Sequence, residues 1–226
     1  MQSLSQSEEN YLKAIFKLSY HGSEAASTNA IASEMSTSAA SVSDMLKRLS
    51  GKGLIKYEKH RGATLSEKGL PYALQLVRKH RLWEVFLVKT LGFKWDEVHD
   101  IAEQLEHIKS PELVSRLDNF LGHPRFDPHG DPIPDAAGKI VEREEFPLHE
   151  LAVGSKGVIV AVANHTSSFL QYLDQHELVV GTAIEVLERF EFDNSVRIKT
   201  DHRPSVVLSE KVAVNLLIQP TSKNRN

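Results

Sequence analysis

Between His80 and His107, six side chains able to hold a divalent cation recur at helical spacing: His80 and Glu84, His99 and Glu103, then Glu106 and His107. Residues three and four apart share one face of a helix, so this stretch reads as two helices, each with a ligand side. Counting about 100° per residue from His99, the side chains of Glu103, Glu106 and His107 fall within an arc of roughly 100°, while Val98, Ile101, Leu105 and Ile108 lie mostly opposite. Three imidazoles and three carboxylates without a thiolate make a borderline-to-hard donor set. Such a set suits manganese, ferrous iron or zinc better than copper(I) or a cluster. The plainer reading of any single His/Glu pair is a solvated helix face.

The 226 residues suffice for one large or two to three small domains, each with its own core. No apolar run approaches the roughly 18 residues of a membrane span, and residues 1–20 form a polar amphipathic stretch without the apolar centre of a signal peptide. A cytoplasmic protein with no membrane partner is expected. The absence of cysteine removes disulfides and thiolate ligands and is compatible with a reducing compartment. A net charge of -3 argues against a uniformly basic coat. Charge is nevertheless uneven: Lys47, Arg48, Lys52, Lys56, Lys59 and Arg61 stand against one acid, Glu58, a local footprint for a phosphate backbone.

The first helix should start near Ser5 or Ser7 and end around Gly22, with Tyr11, Leu12, Ile15, Phe16 and Leu18 on its apolar face. Ser27 or Thr28 caps a short second helix, and after Ser36, Thr37 and Ser38 a third carries Val42, Met45, Leu46 and Leu49 at helical spacing. Two short helices joined by a tight turn suggest a helix-turn-helix. After Gly53 the pattern alternates, with a turn at Lys59 to Gly62, which predicts a two-stranded wing. The recognition helix would then enter the major groove while the wing tip touches flanking phosphates. Ser38, Ser41, Ser43 and Asp44 lie near its N-terminal end, with Ala39 and Ala40 able to meet thymine methyls and Lys47, Arg48, Lys59 and Arg61 placed for phosphates. None of the base-facing group is a guanine-reading arginine, so shape, apolar and water-mediated contacts should carry specificity. A three-helix module for protein contact is the alternative.

Ser66 should cap a long helix containing Pro71, His80 and Glu84 and stopped by Gly92; a second runs from about Asp96 to Lys109, and Pro111 opens a third. Apolar area left exposed on so short a bundle favours a twofold dimer. Five of the nine prolines fall between Gly122 and Pro147, which reads as a linker without regular structure. Beyond it, short strands are expected at 157–162, 183–187, 196–198, 206–208 and 212–218, with a helical turn at Phe169 to Leu173, a spacing that indicates a small barrel. The fold class is therefore mainly α with a small β domain. The expected order is a winged helix-turn-helix over 1–65, a helical metal-binding and dimerisation domain over 66–123, a proline-rich linker over 124–147, an SH3-like domain over 148–220 and a tail over 221–226.

The runs RKHRLWEVFL (78–87), EVHDIAEQLEH (97–107) and HPRFDPHGDPIP (123–134) resemble the metal-sensing domain of the diphtheria toxin repressor family, the iron- and manganese-dependent bacterial repressors. The stretch TSAASVSDMLKRLSGKGLIKYEKHRGATLSEKG (37–69) resembles that family's reading head, and the final domain is similar to its FeoA-like barrel. The resemblance implies a primary, regulatory site at Glu103, Glu106 and His107, completed by Asn10, where the family usually supplies methionine or aspartate. It implies an ancillary site at His80, Glu84 and His99, with Gln171 at a ligand position in the last domain and Ser168 where glutamate is common. A carboxylate at Glu103, where the iron-sensing branch tends to have cysteine, hardens the site and favours Mn2+ over Fe2+; Zn2+, Co2+ or Ni2+ would also bind in vitro. Lys13 replaces a glutamate of the two-domain manganese regulators, which argues against their paired binuclear arrangement.

The function expected from these features is that of a homodimeric repressor that binds double-stranded operator DNA with metal as corepressor and controls metal uptake, without a small-molecule substrate. An iron-dependent repressor of the same family is the alternative. A metalloenzyme is the rival class, against which stands the absence of an H-E-x-x-H motif or paired Glu-x-x-His motifs. A metal chaperone or peptide-binding adaptor is a third.

Overall fold

The computed structural model describes residues 3–19 and 24–221; Gly22, the expected end of the first helix, and residues 222–226 of the expected tail lie outside them. Local capping chemistry starts the first helices. Ser5 Oγ accepts from the Glu8 amide at 3.3 Å while Glu8 Oε2 accepts from the Ser5 amide at 3.1 Å, a reciprocal cap that opens α1 (Gln6–Leu18). Ser27 and Ser38 accept from amides three residues on, at 3.1 Å each, and open α2 (Thr28–Glu34) and α3 (Ala39–Gly51). Leu12, Ile15, Ile31, Val42, Leu46 and Leu49 are fully buried, as their spacing predicts.

The wing follows as β1 (Ile55–Glu58) paired antiparallel with β2 (Gly62–Leu65). Gly62 adopts φ 98°, and a Cβ there would lie 2.4 Å from the Ala26 carbonyl oxygen. Only glycine lets the chain pass so close that Ala26 and Ala63 exchange backbone hydrogen bonds at 2.9 Å, tying the wing to the segment before α2. Ser66 does not cap the next helix directly. It holds the turn before it, accepting from the Gly69 amide at 3.0 Å and donating to the Gly53 carbonyl at 2.7 Å, and α4 runs from Leu70 to Lys89.

Helix α5 (His99–Leu105) is shorter than its periodicity predicts, so Glu106 and His107 occupy the turn beyond it, before α6 (Pro111–Phe120). The last domain is a six-stranded antiparallel sheet in the order β3-β8-β4-β5-β6-β7: β3 (Phe146–Pro147), β4 (Lys156–Val162), β5 (Ala183–Arg189), β6 (Val196–Thr200), β7 (Val206–Leu208) and β8 (Leu216–Pro220). Register shifts between Ile159 and Ala161 and between Val186 and Glu188 bend it. Helix α7 (Ser167–Gln175) extends the expected turn. Residues 212–218 are not one strand: Ser209 caps α8 (Glu210–Ala213), and β8 begins after it.

The chain divides into two compact units. The first comprises residues 1–80, 104–114 and 134–139; the second comprises 81–103, 115–133 and 140–226, with a core of Trp95, Leu148, Ile159, Leu173, Val186, Ile198 and Ile218 among others. The expected linker, residues 124–147, is divided between the two units. Its regular structure is confined to β3 and an isolated bridge between Phe126 and Pro132, yet Asp127, His129, Gly130 and Ile133 are buried.

Candidate metal centres and nucleic-acid interface

In the first unit, ligand-type side chains gather around Glu106, whose side chain is fully buried. His80 Nδ1 lies 2.5 Å from Glu106 Oε2, and Lys13 Nζ donates to both carboxylate oxygens, at 2.7 and 2.8 Å. His107 faces Glu106 Oε1 through Nε2 at 3.8 Å and Glu9 Oε2 through Nδ1 at 2.7 Å. Glu9 and Asn10 project from α1, and Asn10 Oδ1 is buried without a hydrogen-bond partner among the described residues. A buried acceptor left unpaired costs about 1–3 kcal/mol, a cost that a cation bound at this oxygen would offset. Burial pushes the Lys79 ammonium below its ordinary range, against the pull of Glu9 and Glu106.

The second unit holds another cluster. Glu84, Asp127 and His129 are all buried, with one ligand atom of each within 4.8 Å of the others. His129 Nε2 donates to the Trp95 carbonyl at 2.9 Å, which leaves Nδ1 as the acceptor nitrogen of the neutral ring. That nitrogen has no hydrogen-bond partner and faces Glu84 Oε2 at 3.7 Å and Asp127 Oδ1 at 3.9 Å. Arg81 Nε lies 3.5 Å from Asp127 Oδ2 and offsets part of that carboxylate's charge, and a proton or a divalent ion between Nδ1 and the two carboxylates would offset the rest. Burial pushes the Asp127 carboxyl up to about 8, with Asp131 and Glu84 adding to it. Burial acts to lower His129, but Glu84 and then Asp127 outweigh it and draw the imidazole up to about 9. The ring of His165 stacks on His129 at 4.7 Å.

Two features hold this segment in place. Asp127 Oδ1 accepts from the His129 and Asp131 amides at 2.8 and 3.0 Å, closing a turn on itself. Gly130, at φ 91°, lets that turn lie against β4: a Cβ would meet the Val160 carbonyl oxygen at 2.0 Å, and the Val162 amide donates to His129 O at 3.0 Å. Sequence reasoning used HPRFDPHGDPIP only as a family signature and missed Asp127 and His129. The available signal was an Asp-x-His pair inside a proline-rich run, where no periodicity points to a face.

The other expected ligands are placed as follows. His99 Nδ1 is 3.7 Å from Glu84 Oε1 and its Nε2 is 3.6 Å from Glu103 Oε1, with both His99 and Glu103 about half exposed. Gln171 Nε2 donates to Asp96 Oδ2 at 2.7 Å, and Ser168 is exposed on α7.

On α3, Ser38, Ala39, Ala40, Ser41, Asp44 and Lys47 are exposed, while Ser43 turns its hydroxyl to the Ala39 carbonyl at 2.9 Å. The pairs Lys47–Asp44 and Arg61–Glu58, at 3.1 Å each, are solvent-exposed and worth at most about 1 kcal/mol, so phosphate can replace the acid. Lys59 is exposed in the wing turn. Arg48 differs. It binds buried Glu8 at 2.9 Å, as Lys52 does at 2.6 Å. Burial would raise the Glu8 carboxyl, but hydrogen bonds from Lys52, the Ser5 amide and Arg48 hold it down at about 2. The residue preceding Glu9 and Asn10 thereby ties α1 to the C-terminal turn of α3.

Fold and clusters together describe a winged-helix protein with buried groups of side chains of the kind that ligate divalent cations. Residues 3–63 match the family described as the iron dependent repressor N-terminal DNA binding domain, 66–135 its metal binding and dimerisation domain, and 146–220 the FeoA domain. A manganese-dependent transcriptional repressor solved in complex with manganese is 33% identical, with a TM-score of 0.86 over 94% of this chain and 99% of that one. The iron-dependent repressor IdeR of Mycobacterium bovis is 36% identical over 134 residues, 59% of this chain and 58% of the relative. A probable metal transport system membrane protein of Chlamydia trachomatis is 46% identical over 88 residues, 39% of this chain; the match spans only 19% of that relative's length. The chain belongs to the diphtheria toxin repressor family, whose members are DNA-binding transcriptional repressors and not enzymes.

Proposed function

We propose that this chain is a metal-dependent repressor that grips operator DNA as a homodimer in the cytoplasm, with Mn2+ as corepressor and Fe2+ as the alternative. The observation that carries the reading is the convergence of Glu84, Asp127 and His129, all buried, with a ligand atom of each within 4.8 Å of the others. Glu106, His107, Asn10 and His80 would hold the regulatory ion, with Glu9 as the further carboxylate. Glu84, Asp127 and His129 would hold a second, a stronger set than His80, Glu84, His99 and Gln171 because all three are buried and Gln171 is engaged with Asp96. An all N/O donor set with several carboxylates favours Mn2+, while zinc, cobalt or nickel would bind as tightly in vitro.

A divalent ion supplies positive charge that lets these carboxylates and neutral imidazoles share one volume. The chain's own residues do the rest. Glu9 and Lys13 hold α1 against the Glu106–His107 turn, where Asn10 would add a ligand, and Glu8 passes that position to Arg48 and Lys52 at the end of α3. Ser38, Ala40, Ser41, Ser43 and Asp44 face the bases, and Lys47, Arg48, Lys59 and Arg61 the phosphates. The test is a mobility shift of promoter DNA against graded Mn2+, Fe2+ and Zn2+. Retardation should require metal and be lost in Glu106→Ala and His107→Ala; retardation indifferent to a chelator would refute the sensing role.

A further inference from the structure

We propose that Lys13 is a resident counter-ion of Glu106 which an incoming metal must displace, so that this lysine sets the concentration at which the regulatory site fills. The inference rests on the reading of Glu106 and His107 as metal ligands and goes beyond it. Lys13 Nζ uses both oxygens of Glu106, at 2.7 and 2.8 Å, and the carboxylate is fully buried while the lysine side chain keeps 17% of its surface exposed. A cation cannot take either oxygen at full strength while the ammonium holds both. Lys13 lies three residues after Asn10 and four after Glu9, on the same face of α1, so one helix presents the metal's ligands and its competitor together. Its four-carbon stem and partial exposure let the ammonium withdraw to water without moving the backbone.

The displacement cost belongs to the Lys13–Glu106 pair and not to the metal. It should therefore weaken all divalent ions by a common factor, acting as a set point and not as a selectivity filter. Breaking a buried ion pair is costly enough for that factor to be about tenfold or more.

Isothermal titration of the full chain with Mn2+, and separately with Zn2+, tests this on wild type, Lys13→Met, Lys13→Gln and Lys13→Arg. The component of the isotherm that Glu106→Gln abolishes is the one to follow. Lys13→Met and Lys13→Gln should tighten it about tenfold or more and by the same factor for both metals, Lys13→Arg should leave it near wild type, and the metal-free melting temperature should fall in the neutral variants. A merely structural role would weaken metal binding along with stability. Unchanged or weaker affinity in both neutral variants, with the Glu106-dependent component intact, overturns the proposal alone. If Glu106→Gln removes no component from the wild-type isotherm, the metal reading fails and the proposal with it.

Discussion

Glu8 and His129 show how single buried groups are held by their surroundings. Glu8 is ionised in the fold down to about pH 2, whereas an unconstrained glutamate takes up its proton near 4.5. A carboxyl lowered on folding contributes stability above its unfolded value and loses it as pH falls towards its folded one. Glu8→Gln should therefore destabilise the chain by up to about 3 kcal/mol at pH 7, a penalty that shrinks between about pH 4.5 and 2, read by urea denaturation across that range. The second cluster has the opposite sign: Asp127 and His129 are both drawn towards protonation, up to about 8 and about 9. A metal held there would have to displace those protons, so its affinity should rise from about pH 6.5 to about 8.5 and flatten at about 9, measured by Mn2+ titration with Asp127→Asn as the control. A pH-independent isotherm would speak against Asp127 and His129 as ligands.

At the scale of elements, the wing and the 127–131 turn depend on close backbone passages. Gly130→Ala would place a Cβ 2.0 Å from the Val160 carbonyl in a left-handed conformation. It should cost about 2 kcal/mol or more of stability and loosen metal at Glu84, Asp127 and His129 while sparing the Glu106 site, as urea denaturation and titration would register. On the DNA side, Lys47→Ala and Arg61→Ala should each reduce the salt dependence of binding by about one phosphate contact without changing sequence preference, measured by fluorescence anisotropy over a salt series. The helix starts at Ser5, Ser27 and Ser38 were legible because capping is written in adjacent residues. The strands at β4 to β7 were legible for the same local reason. What could not be read was non-local: Lys13 meeting Glu106 across 93 residues, Glu8 meeting Arg48 and Lys52, and a proline-rich run folding Asp127 and His129 into a buried cluster with Glu84. Periodicity also overran α5, which ends at Leu105 although the pattern continues through Glu106 and His107.

For the whole molecule, coupling between metal and DNA is a free energy shared by both sites, so each must tighten the other by the same factor, about five- to a hundredfold in systems of this kind. Arg48 and Lys52 receive α1's position through Glu8, and their arrangement is what metal at Glu106 and His107 would bias. Twofold pairing would make the bound sequence a symmetric one with half-sites about one helical turn apart or a multiple of it. The most direct measurement is selection of duplexes from a random library by the full chain with Mn2+, with chelator, and with Glu106→Gln in Mn2+. Enrichment of a twofold-symmetric sequence in the first arm and in neither of the others is expected; the same sequence enriched equally under chelator would rule out metal-dependent operator recognition.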